Sequence, residues 1–259
     1  MRIAWIMFKK EWTENYKKSR FIVMTAVLLL FGIMSPLTAK YLPEILKMIM
    51  GSAEEVAKLG ILIPTPSIQD SYVQYFKNLT QMGIFIQILI FMGLVSEEKF
   101  KGTVVLVLTK AVPRATFLIA KFVAACMVLL ISLFVSSIGF YYYTYLLFGE
   151  MPGIGTFVGI LMYLLFSVFI LSFTLLASTI SKSVAISALI SIGGYFLLSI
   201  ISLLPKISDF FPMKLTDAAY QISMGVSQAN DFSKAIIVTC LGIVGLLAIS
   251  IISFQRQEL

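Results

Sequence analysis

The 259-residue chain contains no histidine. Imidazole catalysis, histidine metal ligation and histidine proton relays are therefore excluded. Its two cysteines, Cys126 and Cys240, both lie inside long apolar runs, which argues against a structural disulfide or a Cys-x-x-Cys metal site. Charge is also scarce. Charged residues make up 13% of the chain and hydrophobic residues 59%, about half the charged fraction of a soluble domain. No acidic residue lies in the middle of an apolar run, where proton- or sodium-coupled carriers often keep an ionisable group. Sodium sites built from hydroxyl and backbone oxygens stay open. There is no G-x-x-x-x-G-K-[ST] phosphate loop, no H-E-x-x-H and no G-x-S-x-G. The chain cannot bind ATP by that loop and carries no hydrolytic constellation, so it reads as non-catalytic. Its net charge of +7 borders the apolar runs, which marks membrane topology rather than nucleic-acid contact.

Apolar runs of spanning length dominate what remains, and they predict an all-α polytopic membrane protein with six transmembrane helices. The spans are placed at 21–39, 79–96, 114–148, 156–179, 184–204 and 233–254. Segment 1–20 is read as an interfacial helix, because Trp5, Phe8, Trp12 and Tyr16 share one face and lysines fill the rest. The first long apolar stretch begins near Phe21 and is of full spanning length, so a cleavable signal is not expected. Thirteen Lys or Arg residues fall on the side of the N-terminus and seven on the other, which predicts that both termini are cytoplasmic. Segment 40–78 is an external loop. Pro43 is expected to start a short helix there, IPTPS at 63–67 breaks any helix, and Ser67-x-x-Asp70 opens one that runs into the second span. At 205–232, two short amphipathic pieces split at Pro212 are expected outside. Gln81 and Gln87 lie within the second-span helix, where a polar path and interhelical bonding are both open.

Ser183, Ser187, Ser191 and Ser199 stand on an i+4 row, with Tyr195 in the missing place. Small hydroxyl residues at this spacing let helices approach closely, either between two chains or within one.

The most informative stretch is 97–121, EEKFKGTVVLVLTKAVPRATFLIAK. Glu97 and Glu98 leave the second span, Gly102 gives a turn, and Thr103 can cap the next element. Val104, Leu106 and Leu108 belong to a short apolar run, Pro113 stops it, and Arg114 opens the third span with Lys121 seven residues on. Glu97 and Glu98 can pair with Arg114 or Lys121, while Lys99, Lys101 and Lys110 add positive charge. The pattern is that of a short amphipathic element lying on a membrane face.

Acid-acid, Gly-Thr, apolar run, Pro-Arg and a distal lysine in this order resemble the cytoplasmic loop of ABC-2-type transporter permeases. The matching residues are Glu97, Glu98, Gly102, Thr103, Pro113, Arg114 and Lys121. The resemblance implies a type V exporter-like fold, with an elbow helix before the first span, a coupling helix at 97–113 and short re-entrant or interfacial helices at 205–232. It implies the permease subunit of an ATP-driven exporter in a bacterial cell membrane. Its partners would be two copies of an ABC ATP-binding subunit, a second and identical permease chain, and the lipid bilayer. ATP and Mg would be held by the partner subunit, leaving no cofactor in this chain. It further implies permease–permease contact at the first and fifth spans, so the row Ser183, Ser187, Ser191, Tyr195 and Ser199 is a candidate dimer or pathway face. Exporters of this size suggest an amphipathic peptide or another hydrophobic toxic compound as cargo. The alternatives are a permease moving lipid, polysaccharide or sodium, an ATPase-independent channel or carrier, and a membrane scaffold or intramembrane enzyme.

Overall fold

The computed structural model describes residues 2–50, 65–104, 112–204 and 208–257. Among them the secondary structure is entirely helical. Six helices are long and apolar enough to cross a membrane: Arg20–Ile45, Ile68–Phe100, Arg114–Phe148, Ile154–Ile180, Val184–Ile201 and Ala229–Gln255. Helix α1 (Arg2–Lys17) precedes them. Ser19 then takes the left-handed conformation, with φ 56°, and reverses the chain into α2 (Arg20–Met50).

Helix α2 does not stop at residue 39, and Pro43 does not open a separate helix. Both Pro36 and Pro43 lie inside one continuous 31-residue helix. Each proline removes one backbone bond, a loss that membrane helices offset with side-chain hydroxyls and neighbouring helices. Beside Pro36, and apart from the carbonyl it frees, Ser35 Oγ donates to Phe31 O at 2.6 Å and accepts from Asn78 Nδ2 at 2.9 Å. Beyond Pro36, Lys40 Nζ reaches Leu147 O at 2.5 Å and satisfies the end of the neighbouring third span. The loop expectations at 51–64 lie outside the described residues.

The third span, α6 (Arg114–Phe148), lies along α2 and forms the main internal seam. Gly32 permits it, because a Cβ at that position would run into the backbone oxygen of Ser136. The same close approach lets Thr25 bond Ser132 at 2.8 Å and Ser136 donate to Leu28 O at 2.6 Å.

The second span is broken twice. Its first part, α3 (Ile68–Asn78), begins with Ser67 and Asp70 capping each other as the sequence suggests. A π-turn follows at Leu79–Gly83, then α4 (Ile84–Phe91), then a non-helical break at residues 92–95, then α5 (Ser96–Phe100). A π-turn bonds i to i+5, as Ile84 N does to Leu79 O. Two tyrosines from other spans add bonds to the same turn: Tyr163 donates to Leu79 O at 3.0 Å and Tyr195 to Thr80 O at 3.1 Å. At the second break, Ser178 Oγ accepts from both Val95 N and Ser96 N at 3.0 Å, and Ser187 Oγ donates to Met92 O at 2.7 Å. The hydroxyls of the fourth span, α7 (Ile154–Ile180), and the fifth, α8 (Val184–Ile201), thus serve the irregular backbone of the second.

Pro212 divides a single turn at Ser208–Phe210 from α9 (Lys214–Ser223), which lies against the start of α7. Residues 205–207 of that expected segment lie outside the described residues. Gly155 and Gly159 make the contact possible. A Cβ on Gly159 would meet the backbone oxygen of Ala219 and one on Gly155 that of Ile222. Because the obstacle is backbone, no rotamer change relieves it. Gly159→Ala is therefore expected to lift α9 from the fourth span at a cost of about 1–3 kcal/mol. The checks are a lower thermal midpoint in detergent and new tryptic cleavage at Lys214; unchanged values for both would refute this packing. The last span is α10 (Ser233–Gln255).

Candidate functional site

The ends of α1, α5 and α10 and the start of α6 meet at one end of the bundle, and most of the ion pairs among the described residues gather there. Helix α1 folds back across α6 and buries one row of its own side chains, Met7, Glu11 and Asn15. Glu11 is only 2% exposed and Lys121 only 1%. A bare charge in such a place is costly, so the partners matter. Lys121 Nζ donates to Glu11 Oε2 and to Glu98 Oε1, each at 2.8 Å, and lies 4.9 Å from the ring centre of Phe117. Glu98 Oε1 also accepts from Lys10 at 3.1 Å. One buried ammonium therefore joins three elements: α1 through Glu11, α5 through Glu98, and its own helix α6.

Glu97 makes a second junction. Its carboxylate pairs with Lys18 at 2.8 Å, Arg20 at 3.1 Å and Lys101 at 2.8 Å, which ties α5 to the turn between α1 and α2. Lys99 points the other way, to Thr179 O at 2.8 Å and Gln257 Oε1 at 2.9 Å. Arg114 closes the same corner from the far side of the stretch. Its Nη1 donates to Phe254 O, Gln255 O and Gln257 O at 2.8, 2.9 and 2.8 Å and so caps the C-terminal end of α10. Phe117 and Phe254 stack below it with centroids 5.6 Å apart.

Of the pairings suggested for Glu97 and Glu98, the structure brings together Glu98 and Lys121, while Arg114 pairs with neither glutamate. Gly102 ends α5 in the left-handed conformation, with φ 68°, and an added Cβ would have open space around it. Glycine is needed there for its backbone angle. Thr103 Oγ1 donates backwards to Glu98 O at 3.3 Å, the residues it would cap ahead lie outside the described ones, and Val104 is buried. Pro113 immediately precedes α6. Leu106, Leu108 and Lys110 lie outside the described residues.

Four participants were not singled out from the sequence: Glu11, Glu14, Lys10 and Arg20. The available signal was the row Met7, Glu11, Asn15 at i+4 spacing, which sets a carboxylate on the face opposite the tryptophans. Glu11, Glu14 and Glu98 offer three carboxylate oxygens within 4.8 Å of one another. The ammonium groups of Lys10 and Lys121 already occupy the role a cation would take there.

Burial alone would push the Glu14 carboxyl up. The hydrogen bond from Lys18 and the charges of Lys121, Lys18 and Lys10 outweigh it and bring the group from 4.5 down to about 2. Lys10 is also subject to burial, which favours the neutral amine, but Glu11, Glu98 and Glu14 raise it above its ordinary value. A lowered acid stabilises the folded state fully above its unfolded value, and the benefit is lost as pH falls through the folded one. A raised base behaves in the opposite sense. Docking of α1 is therefore expected to hold at neutral pH and to weaken as pH drops from about 4.5 toward 2. Trp5 and Trp12, the only tryptophans in the chain, make the emission maximum a direct readout. A transition centred near neutrality would contradict the assignment.

The hydroxyl row of the fifth span faces inward. Ser187, Ser191 and Tyr195 are buried, Ser191 donates to Ser187 O at 2.8 Å and Ser199 to Tyr195 O at 3.0 Å, while Ser183 caps α8 through Ile186 N. Toward the second span, Ser187 and Tyr195 of this row bond Met92 O and Thr80 O. The outward face of the span carries Leu189, Phe196, Leu197 and Ile200 instead. Gln87 is likewise occupied by Ser167, donating Nε2 to Ser167 O at 2.8 Å and accepting from Ser167 Oγ.

Six helices of spanning length, a helix folded across one end and a buried ion cluster at that end define a multi-pass membrane protein. Residues 5–259 match the model of the ABC-2 family transporter proteins, and the chain belongs to that family. It is also similar to the uncharacterized transmembrane protein YxlG of Bacillus subtilis strain 168, at 26% identity over 260 residues, covering 100% of this chain and 99% of that one. Membership gives the chain a permease role and implies an ABC ATP-binding partner.

Proposed function

We propose that this chain is the permease subunit of an ATP-driven exporter and that ATPase movement enters through residues 97–121. The observation that carries this reading is the wiring of that stretch. Glu97 and Glu98 hold α1, the start of α2 and α6, while Lys99 and Arg114 hold the end of α10. A force applied between residues 101 and 113 is thereby passed to the first, third and sixth spans together. The second span can yield to it at two places, the break at 92–95 and the π-turn at Leu79–Gly83. Such discrete hinge points suit a rigid-body response.

In the full assembly two ATP-binding subunits bind and hydrolyse ATP on the cytoplasmic side, where both termini of this chain lie. A second, identical permease meets the first and fifth spans through their exposed apolar faces, among them Leu189, Phe196 and Leu197. The hydroxyl row, being spent within the chain, takes no part in that contact. The cargo is an amphipathic peptide or similar hydrophobic compound, which suits spans that are apolar with hydroxyl groups and lack mid-span acids.

The test is accumulation of a fluorescent amphipathic peptide in inside-out vesicles carrying the permease and its ATP-binding subunit. ATP-dependent accumulation is expected. Equal movement with the permease alone would instead identify a channel or secondary carrier.

A further inference from the structure

The outer flank of α1 forms a trough with α6 that the ion cluster does not explain. Its lower part has a volume of about 520 Å³ between Trp5 and Phe8 on one side and Ile119, Val123 and Met127 on the other. It adjoins a second hollow of about 370 Å³, also walled by Trp5, Phe8 and Met127, with Trp12 and Lys9 at its rim. The rings of Trp5, Phe8 and Trp12 succeed one another along this edge at 5.7 and 6.4 Å. The lining is apolar apart from Thr116 and the rim, and the one charged side chain there among the described residues is a cation, Lys9.

The lysines of α1 divide into two sets. Lys10 and Lys18 are consumed by Glu11, Glu14, Glu97 and Glu98. Lys9 and Lys17 are exposed and have no acidic partner among the described residues. Lys9 lies four residues after Trp5 and three before Trp12, so it stands between the two indoles on the same flank of the helix. A free ammonium set between aromatic rings at the edge of an apolar trough matches an amphiphile with an anionic head and a hydrocarbon tail.

We infer that the trough between α1 and α6 binds one anionic glycerophospholipid of the surrounding leaflet, with an acyl chain between Trp5 and Val123 and the phosphate at Lys9. A cationic amphipathic peptide is disfavoured by that same ammonium, since no carboxylate among the described residues lines either hollow. The bound lipid spans the two helices that Glu11 and Lys121 join from the buried side. It therefore supports the seating of α1 from the membrane side. The inference rests on the trough and its lysine and stands whether or not the transport reading holds.

Both tryptophans of the chain wall the trough, so lipids brominated on the acyl chain report its occupancy directly. The full chain is placed in nanodiscs containing equal small fractions of dibromo-phosphatidylglycerol or dibromo-phosphatidylcholine. At least twofold stronger quenching by the anionic lipid is expected. Lys9→Gln is expected to abolish the preference and Lys17→Gln to keep it. Ala4→Phe, which narrows the trough, is expected to reduce quenching by both lipids. Equal quenching by the two headgroups, a preference that survives Lys9→Gln, or one lost equally in Lys17→Gln would each overturn the inference, the last by showing only diffuse attraction to a basic helix.

Discussion

Replacing Lys121 by methionine is expected to lower the stability of the folded chain by about 3–5 kcal/mol, the usual cost of leaving a buried charge without its partner. The size follows from the geometry. Glu11 and Glu98 lie 2% and 6% exposed, and Lys121 supplies each with a bond of 2.8 Å. With methionine, Glu11 keeps only Lys10, which must also serve Glu14 and Glu98. The two carboxylates would then repel across a space now lacking the counter-charge. The measurable result is a large fall in thermal midpoint, with tryptophan emission reporting release of α1. Combining Lys121→Met with Glu11→Gln and Glu98→Gln removes the uncompensated charge, and recovery of most of the lost stability is expected. If the single substitution left the midpoint unchanged, the three-way junction would not be a feature of the folded protein. The triple variant also separates stability from function, for it is expected to fold and yet fail to transport.

Arg114→Ala is the second large expected effect, and its signature is local. One guanidinium nitrogen serves three carbonyl oxygens at the end of α10, of which Phe254 O also accepts from Gln257 N at 3.4 Å. Hydrogen bonds to a charged group are worth about 1.5–3 kcal/mol, and a shared donor delivers less than three separate bonds would. A loss of about 2–3 kcal/mol is expected in the last turn. Hydrogen exchange should therefore speed up across residues 252–257 while 235–245 stay protected. Arg114→Lys retains the charge and one bond, so an intermediate effect is expected. Uniform acceleration along the whole helix would show that Arg114 stabilises the bundle generally rather than this terminus.

These two residues also show how far the sequence could be read. The positions of the apolar runs, the Ser67 cap and the Gly102 turn follow from hydropathy and capping chemistry, while charge placement near one membrane face left Glu97 and Glu98 open to either Arg114 or Lys121. Those signals are local or nearly so. Arg114 was visible as the opening residue of a helix, but its partners lie some 140 positions away, and they are backbone oxygens that no side-chain pattern announces. Glu11 was obscured by composition: in a helix rich in lysine and tryptophan, a single carboxylate reads as solvated. Pro43 reads as a helix start because proline favours the first turn, whereas here it lies inside a helix that continues through it. The serines of the fourth and fifth spans have spacing typical of helix contact. Their actual task depends on two breaks in another helix, which periodicity alone does not reveal.

Those breaks give the proposed coupling its form. The second span meets residues 97–121 at α5, and its backbone is held at the π-turn by Tyr163 and Tyr195 and at the lower break by Ser178 and Ser187. A helix interrupted at two places, with hydroxyls bonded to its backbone at both, can change shape by exchanging a few hydrogen bonds. The ion cluster at its end is, by contrast, buried and strongly tied. The arrangement is therefore a stiff handle joined to a segmented arm.

The central claim is that an ATPase drives this arm through residues 97–121. Its most direct measurement is the rate of ATP hydrolysis by the co-purified permease and ATP-binding subunit in nanodiscs, with and without cargo, for the natural chain and for alanine across residues 105–108. The account predicts co-purification, cargo-stimulated hydrolysis in the natural complex, and loss of that stimulation in the alanine variant with the thermal midpoint preserved. A permease that transports with no ATP-binding subunit bound, or stimulation that is unaffected by the alanine block, would contradict it.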